Sequence, residues 1–228
     1  MAHTDILTPL WLTLKVAAWA TFAATVLGVA AGLLLARWRF RGRDAVDALL
    51  LLPMVLPPTV LGYYLLVVFG RRGAFGHWLE TNLGIELIFT VQGAVVAAAV
   101  VAFPLVFKAA RTAFEGIDAE LERAGRTLGY DEWTLFVRVT FPLAWRGIAA
   151  GSMLAFARAM GEFGATLMVA GNIPGRTQTM SIAVYEAVNA GDDARADLLV
   201  LVASLVCIVL LVAASRVVRR GHLQVTPL

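Results

Sequence analysis

Little in this sequence can do covalent chemistry. Cysteine occurs once in 228 residues, at Cys207, which rules out an intrachain disulfide and leaves packing inside an apolar run as the role of the thiol. Lysine occurs twice. Neither Leu14-Lys15-Val16 nor Phe107-Lys108-Ala109 has the glycine before and the Ser or Thr after that a P-loop requires, so no ATPase of that kind is encoded. The three histidines, at 3, 77 and 222, form no His-Glu-x-x-His motif and lie outside the apolar runs, and there is no Gly-x-Ser-x-Gly elbow. No catalytic or metal-binding constellation is visible, and no cofactor is expected. Charge is scarce too: 15% of residues are charged against 60% hydrophobic, and the mean hydropathy of +0.78 is too high for a soluble globular domain.

What the chain does have is long apolar runs. A spanning helix needs about 20 predominantly apolar residues, and runs near 10–36, 46–69, 91–110, 147–170 and 197–215 qualify. They are continuous rather than alternating at period two, which argues against a closed β-barrel. The expected fold is therefore an all-α polytopic membrane protein with about five transmembrane helices in one domain over 8–218. Met1 to Pro9 offer no basic n-region and the first run is longer than a signal-peptide core, so it reads as an uncleaved span.

The basic residues set the orientation. Arg37, Arg39, Arg41 and Arg43, then Lys108, Arg111, Arg123, Arg126, Arg138 and Arg146, then Arg216, Arg219 and Arg220 all fall on one side, against Arg71, Arg72, Arg176 and Arg195 on the other. The positive-inside rule puts the N-terminus outside and the C-terminus in the cytoplasm. A pI of about 9.4 then follows from topology and requires no nucleic acid. Lys15, between Trp11 and Trp19 on one helical face, reads as an interfacial anchor.

The longest polar interruption is Lys108 to Arg146. Asp118 can cap a helix over 119–128 with Glu120 and Glu122 in its first turns, where the helix dipole favours negative charge. Gly129 ends it, Asp131 can cap a second short helix, and Pro142 is expected to stop that one. Gly125, inside the first helix, costs about 1 kcal/mol relative to alanine, so either the loss is tolerated or another backbone comes close. A solvated surface helix and a docking element for a partner both fit this pattern.

Here a family resemblance becomes visible. Arg123-Ala124-Gly125, then Gly129, then Val139-x-Phe141-Pro142 resembles the EAA loop of ABC importer permeases, with the spacing intact. Arg123 replaces the Glu of that pattern, Gly125 the second Ala, Val139 the Ile and Phe141 the Leu; Glu122 lies one position early. The resemblance implies a type I ABC importer permease fold in which 112–145 is a cytoplasmic coupling loop on an ATPase subunit, through Glu122, Arg123, Ala124, Gly125, Gly129, Val139 and Pro142.

The second run carries Pro53, Pro57 and Pro58, which remove backbone donors and force kinks or a break. Irregular backbone at that depth survives only against protein or a cavity, so this stretch is either a kinked structural helix or a wall of a translocation path. With the Gly70-Arg71-Arg72-Gly73 segment, the Phe156-to-Thr166 stretch and Asn172-to-Thr177, it is similar in order and spacing to molybdate ABC transporter permeases and, less closely, to sulfate/thiosulfate permeases. That resemblance implies an ATP-driven oxyanion importer working by alternating access, in which tungstate and sulfate remain alternatives to molybdate. It also implies a second permease copy, separate ATPase subunits and an extracytoplasmic binding protein, at the bacterial inner membrane. A self-contained secondary transporter is the reading from a different class; it requires internal repeats and coupling-ion carboxylates, and Glu162 is the one membrane-depth acid found. Four residues apart on one helical face, Arg158 and Glu162 are expected to pair and to face protein or a cavity, as a structural lock or as part of the path with Pro57 and Pro58.

Overall fold

A computed structural model describes residues 6–220 except 39 and 72, and every regular element among them is helical. Arg39, Arg72, His3 and His222 lie outside the described residues, as do the side chains of Arg219 and Arg220. The elements are α1 (Leu7–Arg37), α2 (Arg43–Val55), α3 (Pro58–Phe69), α4 (Ala74–Leu83), α5 (Val91–Glu115), α6 (Ala119–Thr127), α7 (Glu132–Leu135), a π-helical turn (Phe136–Thr140), α8 (Phe141–Met160), α9 (Gly164–Ala170), α10 (Met180–Asn189) and α11 (Asp193–Arg220).

Four helical stretches are long and apolar enough to cross a membrane: Leu7–Arg37, Val91–Glu115, Glu132–Met160 and Asp193–Ala213. A fifth crossing arises if α2 and α3, which meet at 112°, form one broken span. Of the three prolines in this run, Pro53 is accommodated inside α2, and the chain breaks at Pro57, ahead of Pro58 as the first residue of α3. Proline fits there because the first turn of a helix has no use for its missing N–H. The expected fourth crossing over 147–170 is divided: α8 ends at Met160 and α9 starts at Gly164.

The core is a sandwich of small side chains. Ala17, Ala20 and Ala24 of α1 pack with Ala94, Ala98 and Ala102 of α5 and with Ala155 and Ala159 of α8. Lipid tails are as apolar as leucine, so helices in a bilayer associate by close packing rather than by escape from water, and small residues permit it. A Cβ at Gly28 would stand 2.9 Å from the Phe107 backbone nitrogen, and one at Gly32 equally close to that of Arg111. Gly151 of α8 packs on the Ala109 methyl group of α5. Gly28→Leu is therefore expected to strip the membrane of most assembled protein, because backbone cannot step aside as a flexible side chain would. Detergent-solubilised yield and thermal unfolding check this, and a wild-type melting profile would contradict the packing argument.

Candidate functional site

Two regions gather the residues singled out above. The first is the polar loop between α5 and α8. Asp118 caps α6 as expected, its Oδ1 accepting from the Glu120 backbone N–H at 2.9 Å. Gly129, at φ +85°, turns the chain through the left-handed region, and Asp131 precedes α7. The exposed Asp131 carboxyl is held below the usual carboxylate range, first by its hydrogen bond with the Thr134 hydroxyl.

Pro142 does not stop the second helix. The Phe141 N–H reaches back five residues to Phe136 O, and this π-helical turn carries α7 directly into α8, with Pro142 in the first turn of the new helix. One wider turn absorbs the ring that would otherwise clash with the preceding carbonyls.

Glu122 points into the protein. Its Oε1 accepts from Arg37 Nη2 at 2.5 Å and from the Thr140 hydroxyl at 2.8 Å, and Arg37 also donates to Thr140 Oγ1 at 3.2 Å. The end of α1, the middle of α6 and the π-helical turn thus meet at one carboxylate. Arg126 pairs with Glu132 at 2.8 Å, which raises its pKa above the usual value and clips α6 to α7. Neighbouring pairs, Arg111 with Asp47 and with Glu115 and Arg43 with Glu115, tie α2 to α5 beside the loop.

What comes close to Gly125 is a side chain of the same chain, not the backbone that the sequence suggested. Gly125 is buried, and a Cβ there would sit 2.6 Å from Leu135 Cδ1 of α7. Ala124 and Arg123 are exposed, as are Gly129 and Pro142, while Val139 is half-buried in the π-helical turn. Sequence reading missed the outward apolar residues around them: Leu121 is 49% exposed, Leu128 75% and Trp133 71%. The signal was present, since Leu121 and Leu128 share a stripe, but that stripe reads equally well as the side facing the bundle.

The second region is where the two helix breaks meet. Pro58 packs on Gly164, whose added Cβ would stand 2.9 Å from Pro58 Cβ, and Gly62 of α3 packs on Met168 of α9. Pro57 and Pro58 are exposed at this junction. In the α8–α9 break, Glu162 is buried; its Oε1 accepts from the Ala165 N–H at 2.8 Å, capping α9, and its Oε2 stands 2.7 Å from Arg158 Nη1. The contact lies off the N–H direction of the guanidinium, so it is a charge pair rather than an aligned hydrogen bond. The pair expected from i, i+4 spacing forms at the end of α8, beside the break, and not along an unbroken helix.

A helical bundle of four or five crossings, with two broken helices packed break to break and a clamped polar loop between two crossings, is a polytopic membrane domain. The family model described as the binding-protein-dependent transport system inner membrane component matches residues 25–221, and the chain belongs to that family. It is 45% identical over 204 residues to the molybdenum transport system permease protein ModB of Escherichia coli (strain K12), covering 89% of each chain. It is 42% identical over 193 residues to the putative molybdenum transport system permease protein YvgM of Bacillus subtilis (strain 168), covering 85% of each. Among solved structures, a bacterial ABC transporter involved in the import of the acidic polysaccharide alginate aligns at TM-score 0.77 and 14% identity, over 95% of this chain and 80% of that one. The MetNI methionine ABC transporter in an inward-facing conformation aligns at TM-score 0.71 and 18% identity, over 94% and 95%. At those identities the structures speak for the fold, and the expected all-α type I importer permease architecture stands.

Proposed function

We propose that the chain is the pore-forming subunit of an ATP-driven molybdate importer. The observation that carries this is the identity of 45% and 42%, at nearly full coverage of both chains, to two permease proteins named for molybdenum transport. In this reading the permease works as a homodimer with separate cytoplasmic ATPase subunits and an extracytoplasmic binding protein, and has no ATPase of its own. Arg37, Arg43, Arg111 and Arg126 at the loop end of the bundle support a cytoplasmic position for α6 and α7. The N-terminus is then outside and the C-terminus inside.

ATP-driven closure of the ATPase dimer would move α6 and α7, and the Glu122 clamp would carry that motion to α1 and, through the π-helical turn, to α8. The junction of Pro57, Pro58, Arg158 and Glu162 lies on α3, α8 and α9, the elements such a movement would shift. The secondary-transporter reading loses support because Glu162 is already occupied in a cap and an ion pair and is not a free carboxylate for a coupling ion.

The test is ATP hydrolysis by the reconstituted complex with its binding protein, supplied with molybdate, tungstate or sulfate. Molybdate is expected to stimulate hydrolysis most strongly. Stimulation by sulfate alone would overturn the substrate assignment, and full transport by a single permease copy would overturn the dimer.

A further inference from the structure

We propose that the groove between α1, from Lys15 to Leu27, and the N-terminal part of α5 is a seat for one anionic phospholipid, with Lys15 and Gln92 at the headgroup and an apolar trough for an acyl chain. The groove has a volume of about 570 Å³, and Lys15, Trp19, Phe22, Leu27, Gln92 and Val95 are among its walls. Gly28 touches α5 at Phe107 and Gly32 touches it at Arg111, so the two helices run parallel. Lys15 and Gln92 therefore stand at the same end of the groove, and the apolar side chains continue from there toward the middle of the bundle.

Three observations select the occupant. Lys15 is exposed, and among the described residues no carboxylate pairs with it, so a cation facing an otherwise apolar trough is left for an external anion. From Lys15 to Leu27 is twelve residues, about 18 Å at 1.5 Å per residue, close to half of the roughly 30 Å hydrocarbon core. The trough thus spans one leaflet, from headgroup level to near the midplane. Trp19 and Phe22, both well exposed, stand edge to face with ring centroids 6.1 Å apart and present an aromatic wall beside the cation, and tryptophan is a residue of interfacial belts. A soluble oxyanion would satisfy Lys15 but leave the trough empty; a phosphodiester carrying acyl chains satisfies both.

The experiment is native mass spectrometry of the permease purified with its ATPase and titrated with dioleoyl phosphatidylglycerol or, as the zwitterionic comparison, dioleoyl phosphatidylcholine. One phosphatidylglycerol per permease chain should be retained in preference to phosphatidylcholine. Lys15→Gln should lower that retention about fivefold, the worth of one basic residue at a lipid surface. Lys15→Arg should keep it, and both variants should elute as the wild-type complex on size exclusion. Inorganic phosphate at millimolar levels should not displace the lipid. Equal retention by Lys15→Gln, or displacement by phosphate, overturns the proposal. So does efficient disulfide dimerisation of Ala23→Cys in a Cys207→Ala background, which would put a second copy of the chain in the groove.

Discussion

Leu128→Asp should cut ATP-coupled uptake by roughly thirtyfold or more while the permease still inserts in the membrane. Leu128 is 75% exposed at the end of α6, with Trp133 71% exposed on α7, and neither is needed to hold the loop together. The loop is held instead by Glu122 with Arg37 and Thr140, and by Gly125 against Leu135. An apolar side chain left in water by a well-clamped helix has its use elsewhere. Burying a leucine against a partner contributes about 2–3 kcal/mol, and each 1.4 kcal/mol is tenfold in affinity. A carboxylate at the same place adds a desolvation penalty. The ATPase should also fail to copurify with the variant. Gly125→Trp should uncouple too, but by prising α6 off Leu135, so it should lower the melting temperature where Leu128→Asp does not. Normal uptake and normal ATPase recovery for Leu128→Asp would refute this face as the docking surface.

Glu162→Ala should remove most of the correctly assembled permease. The Glu162 side chain is 2% exposed and does two jobs, capping α9 and pairing with Arg158. Losing a cap costs about 1 kcal/mol. Breaking a fully buried ion pair by deleting one partner costs about 3–5 kcal/mol, a figure to be discounted here because the Arg158 side chain is 37% exposed and partly screened. Roughly 2–4 kcal/mol in all is a large share of the 5–15 kcal/mol that holds a typical domain folded. Glu162→Gln should be milder, since its amide oxygen can still accept from the Ala165 N–H. Arg158→Gln leaves a buried carboxylate without its cation and should impair assembly, and the double Gln variant should recover to about the level of Glu162→Gln. Assembly and uptake are measured for all four. An Arg158→Gln variant that assembles normally yet takes up nothing, with no recovery in the double variant, would reverse the assignment and make Arg158 part of the oxyanion path.

Several of these features could be read from the chain alone, for local reasons. Apolar runs of spanning length, the Asp118 cap, the Gly129 turn and the spacing around Gly125 and Pro142 depend on residues within a few positions of one another, where helix periodicity and backbone sterics act. The family resemblance rested on that same local spacing, and the family model matches residues 25–221.

What only the tertiary structure decided depends on residues far apart in sequence. Nothing near Glu122 names Arg37, 85 residues away, as its partner, and nothing near Gly125 says that its missing side chain makes room for Leu135 rather than for another protein. Pro142 reads as a stop because a regular helix cannot hold its ring, yet a π-helical turn fixed by the packing around Thr140 carries the helix through. The prolines at 57 and 58 announce a break but not that it lies against the second break at Gly164. Apolar periodicity fixes which segments enter the membrane, because transfer from water depends on composition alone; which faces meet inside it depends on the shapes of small side chains from distant segments, and those shapes combine only when the chain is folded.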